Sequence, residues 1–264
     1  MEIYYKGPEG STYTLYEDML KQPHLLIAGA TGSGKSVVIN GLIATLLYRL
    51  PFDSENGAQL ILIDPKRVEL VQYKDTPHCI KYASEPNTML SALKYAMTIT
   101  ERRYTKMQAA RQRKYDGGDV YVIVDEFADL MTTQAHEVVP LIQRLAQIGR
   151  AAKVHLIIAT QTPIAEILPT KIKCNFDARV ALRTRSAQDS RNILGITGCE
   201  LLPRYGQCYY MTPEGTKRWN VPFIEDAELD RLVKHCEDQV KQAKEVQPKP
   251  VQNKKRTLRE FFGF

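Results

Sequence analysis

The octapeptide Gly29-Ala30-Thr31-Gly32-Ser33-Gly34-Lys35-Ser36 constrains this chain more than any other feature. It fits G-x-x-x-x-G-K-[ST], a loop whose small residues let successive backbone N–H groups converge on a phosphate at a helix N-terminus. The context is as important as the letters. His24 to Gly29 is a compact apolar run and Ser36 to Leu50 carries apolar residues at helical spacing, so the segment reads strand, loop, helix. In such a loop Gly29, Ala30, Thr31, Gly32, Ser33 and Gly34 shape the cradle. Lys35 supplies a charge to the β and γ phosphates, and the Ser36 hydroxyl is placed to ligate Mg²⁺.

A phosphate loop of this kind needs an acid to hold the metal shell. Tyr121-Val122-Ile123-Val124-Asp125-Glu126 is an apolar strand ending in two carboxylates, about 90 residues beyond the loop. Adjacent acids at a strand end are often a solvated edge, but behind a phosphate loop in a chain of alternating elements they read as Walker B. Asp125 then holds the Mg²⁺ shell and Glu126 polarises the attacking water.

The rest of the chain continues the alternation. A strand is expected at Leu60 to Asp64, a long helix at Asn87 to Tyr115, a strand at Val120 to Asp125, a helix ending near Gln147 and a strand at Val154 to Ala159. Further β-rich segments lie at Ala178 to Thr184, Gln207 to Met211 and Arg218 to Phe223, followed by an amphipathic helix over Asp226 to Lys244. Strands separated by helices imply right-handed crossovers and a mostly parallel sheet, hence an α/β fold. Residues 1–22, with polar and aromatic residues alternating around Gly7-Pro8-Glu9-Gly10, read as a hairpin extension ahead of a main domain over 23–246. From Gln247 the composition turns to Pro, Gln, Lys and Arg, giving a basic tail that ends in three phenylalanines between Leu258 and Phe264. The tail either docks onto a membrane or portal partner or a neighbouring subunit, or packs back on the domain.

Bulk properties narrow the class. The net charge of +6 is spread through the chain, which permits a polyanion without demanding one. Five cysteines without a C-x-x-C pair signal neither a disulfide framework nor a zinc site, and point to a reduced cytosolic compartment. No apolar run is long enough to insert directly into a membrane.

Several further segments, taken in order, carry a family resemblance. They are Pro23 to Gly29 leading into the loop, Asp64-Pro65-Lys66 with Glu69-Leu70, Glu101-Arg102-Arg103-Tyr104, Val124-Asp125-Glu126-Phe127-Ala128-Asp129-Leu130-Met131, Arg150-Ala151-Ala152 before His155, and Ala159-Thr160-Gln161. Together they resemble the motor domain of the FtsK/SpoIIIE DNA translocase family over roughly residues 2–225. The resemblance implies a RecA-like fold in a homo-hexameric ring, with ATP bound between subunits and double-stranded DNA threaded through the pore. It implies that Gln161 is the polar sensor of the γ phosphate and that Arg150 is the arginine offered to the adjacent subunit, with Arg179 a rival. A planar, permanently charged guanidinium suits the equatorial oxygens of a phosphoryl-transfer transition state.

The DNA-facing positions depart from the family pattern. Thr162 stands where relatives commonly have arginine, and Ala187 where they tend to have lysine. Lys173 and Arg191 match the remaining basic positions, and Arg183 and Arg185 lie close enough in sequence to compensate. Full-length cell-division translocases also carry a membrane region, a linker, a further domain and a winged helix, none of which fits here. The expectation is a stand-alone minimal motor or an excised one. A conjugative coupling or DNA-packaging ATPase is the alternative within the same mechanism, and a protein-secretion ATPase is the alternative from another class.

Overall fold

The computed structural model describes residues 15–50 and 57–245. Eight strands form one sheet: β1 (His24–Ala28), β2 (Ala58–Ile63), β3 (Cys79–Ala83), β4 (Asp119–Val124), β5 (Val154–Thr160), β6 (Ala178–Ala181), β7 (Gln207–Thr212) and β8 (Gly215–Asn220). Their spatial order is β3-β2-β4-β5-β1-β6-β7-β8. The six strands from β3 to β6 in that order are parallel, and β7 and β8 continue as an antiparallel pair. The helices are α1 (Leu15–Lys21), α2 (Lys35–Arg49), α3 (Pro86–Ala110), α4 (Phe127–Ala152), α5 (Thr170–Lys173), α6 (Ala187–Leu194) and α7 (Asp226–Glu245).

The period of two along each central strand divides the core into layers. On β4, Tyr121 and Ile123 face a cluster built from Leu15, Tyr16, Leu42 and Leu229 of α1, α2 and α7. Val120, Val122 and Val124 face the opposite cluster with Leu93 of α3 and Ile142 of α4. Both faces of the parallel sheet are therefore covered, which is why β1, β2, β4 and β5 read as near-continuous apolar runs rather than alternating ones. Each fully buried Leu, Ile or Val contributes about 1.5–3 kcal/mol, so the central strands are the most firmly held part of the molecule.

Element boundaries depart from the sequence expectation in ways the local chemistry explains. Leu15–Lys21 is a helix and not part of a hairpin. Leu15, Tyr16 and Met19 are buried at helical spacing against α2, so the apolar period outweighs the alternation seen upstream. Residues 1–14 of the expected extension, and the tail from 247, lie outside the described residues. Helix α3 stops at Ala110, where Arg111 turns left-handed with φ 53°, because Met107 is the last residue in that helix with apolar surface to bury. Helix α4 runs on to Ala152, with non-helical backbone at Gln134 (φ −144°) and Pro140 inside its second part. Strand β8 covers Gly215–Asn220, earlier than Arg218 to Phe223, and pairs tightly with β7 across Pro213 and Glu214. Its Lys217 and Arg218 side chains protect an open edge.

Candidate active site

Strand order brings the motifs together. β1, β5 and β4 are neighbours, so the segments that follow them, Gly29–Ser36, Gln161 and Asp125-Glu126, emerge side by side at the carboxyl edge of the sheet. The phosphate loop is tied to both flanking strands: Gly29 N–H donates to Thr160 O (3.3 Å) and Ala30 N–H to Arg183 O (2.8 Å). Glycine is required at position 29, because a Cβ there would lie 2.6 Å from Ser33 Oγ and 2.7 Å from Leu182 Cβ. Gly34, at φ 100°, turns the loop into the first turn of α2, a conformation that a Cβ strains.

Lys35 is 4% exposed and its ammonium donates to Asp125 Oδ1 (2.5 Å) and to Asp125 O (2.6 Å). Asp125 is buried as well, and its second oxygen, Oδ2, has no hydrogen-bond partner among the described residues. A buried carboxylate oxygen left open beside a hydroxyl-bearing loop fits a hard divalent cation. Ser36 follows Lys35 directly, so Ser36 and Asp125 are the residues available to hold Mg²⁺. No three metal-ligating side chains are grouped among the described residues, which leaves the phosphates and water to complete such a shell.

Glu126 is the N-cap of α4 and is also buried. Its Oε1 accepts from Thr160 Oγ1 (2.8 Å) and from Gln161 N–H (3.1 Å), and Lys66 Nζ approaches Oε2 at 3.4 Å. Gln161 in turn accepts from Thr31 of the loop (Thr31 Oγ1 to Oε1, 2.8 Å). The acid concentration here is felt by Asp129 in the first turn of α4: burial, and then the negative charge of Glu126, push its carboxyl above the usual range.

The arginines separate by position. Arg150 is exposed in the last turn of α4, at the end of that helix opposite to its N-cap Glu126. Arg179 donates to three backbone carbonyls, Phe176 O, Ile193 O and Lys173 O, at 2.8–2.9 Å, and burial depresses its pKa. Its donors are engaged in joining β6 to α5 and α6. Lys173 donates to Asn192 O (2.9 Å), and burial followed by the nearby Arg179 charge lowers its pKa. This contact sets Lys173 beside Arg191, which is exposed on α6. Arg183 and Arg185 are exposed, and the carbonyl of Arg183 is the one that anchors Ala30. Ala187 opens α6, whose N-cap Ser186 accepts from Asp189 N–H (3.1 Å).

Three residues at the site were not singled out for it by their sequence. Lys66 was noted only within Asp64-Pro65-Lys66, and its position against Glu126 depends on β2 lying beside β4. Thr160 reaches Glu126 because β5 lies beside β4. Arg204, from the loop before β7, comes close to Gly32. No local pattern marks any of these contacts.

A parallel sheet carrying a phosphate loop after one central strand, paired acids after the next but one, and a polar residue just after the strand between defines a P-loop ATPase fold of RecA type. The FtsK/SpoIIIE family model matches residues 5–121 and 118–165. The DNA translocase FtsK of Oceanobacillus iheyensis is 38% identical over 261 residues, covering 90% of this chain and 33% of that protein. FtsK of Campylobacter jejuni is 38% identical over 239 residues, covering 84% of this chain and 25% of that protein. The chain belongs to the FtsK/SpoIIIE family, and it spans a third or less of the length of these relatives. Among solved structures, the pCW3 conjugation coupling protein TcpA in its monomer form with ATPγS aligns with TM-score 0.72 at 22% identity, covering 83% of this chain and 66% of that chain. The cytoplasmic domain of the type VII secretion ATPase EccC of Thermomonospora curvata aligns with TM-score 0.70 at 21% identity, covering 81% and 28%. These two likenesses concern the fold. Among the described residues, no helix is long and apolar enough to cross a membrane.

Proposed function

We propose that this chain hydrolyses ATP to move double-stranded DNA through a homo-hexameric ring. The observation that carries the reading is the meeting of Lys35, Asp125, Glu126 and Gln161 at one edge of the sheet, in a chain of the FtsK/SpoIIIE family. In this reading Lys35 takes the β and γ phosphates, and Ser36 and Asp125 hold Mg²⁺, which neutralises charge on the phosphoryl oxygens when bound. Glu126, fixed by Thr160 and Gln161, orients the attacking water. Gln161, bonded to Thr31, reports occupancy of the loop to the segments that follow β5. Arg150 completes the site of a neighbouring subunit, because in its own chain it lies at the wrong end of α4.

Lys173, Arg191, Arg183 and Arg185 face the DNA as phosphate contacts, which gives binding that depends on salt and not on sequence. The test is hydrolysis with and without long duplex DNA, together with particle mass and a salt titration of binding to two unrelated duplexes. Duplex should stimulate hydrolysis. Changing Lys173 and Arg191 together to Ala should weaken binding to both duplexes alike and flatten the log–log salt slope by roughly one unit per lost contact in each engaged subunit. The cations missing at Thr162 and Ala187 favour one competing reading, a secretion ATPase. Unstimulated hydrolysis with an unchanged slope would refute the DNA reading and shift weight to that one.

A further inference from the structure

The phosphate loop has two flanks. On the β5 side, Thr31 meets Gln161. On the β6 side, the guanidinium of Arg204 stands against Gly32 at the crest of the loop: a Cβ built on Gly32 would lie 3.6 Å from Arg204 Nη2 and 3.7 Å from Nε. Gly32 itself is at φ 71°, so the loop presents backbone and no side chain at this point. The arginine thus stands beside the crest of the phosphate cradle.

This approach is rooted at both ends of a short loop. Leu202 is buried in a small cluster with Ala28, the last residue of β1, and Ala181, the last of β6. Its N–H donates to Cys199 O (3.2 Å), while Gly206 O accepts from Val221 N–H (2.8 Å). Two residues past that anchor, Arg204 therefore rides on the same strand pair that carries the phosphate loop. Its guanidinium also lies 5.5 Å from the ring of Tyr205, an aromatic face that holds an exposed arginine in register. Among the described residues, Arg204 has no carboxylate within ion-pair distance. A rooted arginine without an anionic partner, set beside a glycine-built anion cradle, is a cation awaiting an anion.

We infer that Arg204 is a phosphate-binding residue of its own chain's nucleotide site, holding the terminal phosphates of a nucleoside triphosphate across the crest of the loop. The inference rests on the ATPase reading above and adds to it a second cation in cis, opposite Gln161. It also accounts for an arginine at the loop crest, while Arg179 spends its donors on backbone carbonyls and Arg150 stands at the far end of α4.

Binding of ATP, ADP and AMP to the full chain, and to its Arg204→Ala and Arg204→Lys variants, tests it by titration calorimetry. A charge-assisted contact to phosphate predicts ATP binding about tenfold weaker in Arg204→Ala. The loss for AMP should be smaller, and Arg204→Lys should fall between, since an ammonium keeps the charge without the fork. Arg204 is exposed, so the fold tolerates both changes. Equal ATP affinity in Arg204→Ala and the unaltered chain overturns the inference, and so does an equal loss for ATP and AMP. Failure of the unaltered chain to bind ATP would instead defeat the ATPase reading itself, so the two failures are distinguishable.

Discussion

Replacing Glu126 by Gln removes one charge and almost nothing else. The side chain is 3% exposed, and its Oε1 accepts from Thr160 Oγ1 and Gln161 N–H, contacts that an amide oxygen can keep. The loss falls on Oε2, which gives up the longer branch of the Gln161 N–H contact (3.3 Å) and the approach of Lys66, 43% exposed and 3.4 Å away, an ion pair that solvent screens. Such a pair contributes about 0–1 kcal/mol, and desolvation of the carboxylate offsets part of that, so the melting temperature should move by no more than about 2–4 °C. Chemistry should respond far more strongly. A positioned general base contributes about 100- to 10,000-fold, which is roughly 3–5 kcal/mol at 1.36 kcal/mol per decade. The rate effect therefore exceeds the stability effect several-fold, and the two are measured separately. Phosphate release at saturating ATP with long duplex, fluorescent nucleotide binding and a thermal melt should show a variant that binds ATP, stays folded and leaves it uncleaved. Hydrolysis by Glu126→Gln at the rate of the unaltered chain would refute the role given to this carboxylate.

Two other expectations use different observables. Mixing Lys35→Ala with Arg150→Ala chains should restore part of the hydrolysis that each lacks alone, because a Lys35→Ala subunit still offers its arginine to an intact neighbouring loop; an Arg150→Ala chain that is fully active by itself would exclude the arginine. His24, buried at the start of β1, is held near a pKa of about 4 by desolvation and then by the charge of His155. Its folded pKa lies below the unfolded value of 6.5, so the folded state binds fewer protons between them; stability is full above about 6.5 and falls as pH drops toward 4, by on the order of 3 kcal/mol from this group. Denaturant melts across that window should be flatter for His24→Gln than for the unaltered chain, and parallel curves would show that His24 contributes nothing to the acid sensitivity.

The phosphate loop and the paired acids were legible because each is a local event: an apolar strand, a glycine turn, a helix start. The central strands were legible for the same reason, since burial on both faces writes a continuous apolar run. Short polar elements were not. β3, Cys-Ile-Lys-Tyr-Ala, is half-buried beside β2 and resembles any loop of its length. α6 carries a serine N-cap and Gly195 as its left-handed C-cap, a signal that is local but short, eight residues set among arginines. What no local pattern contains is the adjacency of Lys66, Thr160 and Arg204 to the motifs, because that depends on β4, β5, β1 and β6 standing side by side in an order the chain does not follow. Arg179 illustrates the same limit: sequence leaves it a rival to Arg150, and only the three carbonyls it binds reveal that its donors are already taken.

The contacts at the sheet edge form a closed circuit. The phosphate loop carries Lys35, which holds Asp125; Asp125 precedes Glu126, which is held by Gln161; and Gln161 is held by Thr31, back on the loop. Lys35 cannot serve a triphosphate fully while both of its short contacts go to Asp125. Drawing it away leaves a buried carboxylate without its cation, a change that costs several kcal/mol unless another positive charge takes its place, which is the chemistry Mg²⁺ would bring to Asp125. The backbone carbonyl of Asp125 loses its partner in the same movement, and this carbonyl belongs to the peptide that leads into Glu126. Nucleotide occupancy is thereby coupled to the carboxylate proposed to orient water, and through Gln161 to the chain beyond β5, without any contact longer than a hydrogen bond. The buried part of this circuit, Lys35, Asp125 and Glu126, has few intermediate arrangements, because a half-made network leaves unpaired charges in a low-dielectric interior. The site is thus suited to switching between a lysine-capped and a nucleotide-bound arrangement, which is the property the proposed translocase role requires of it.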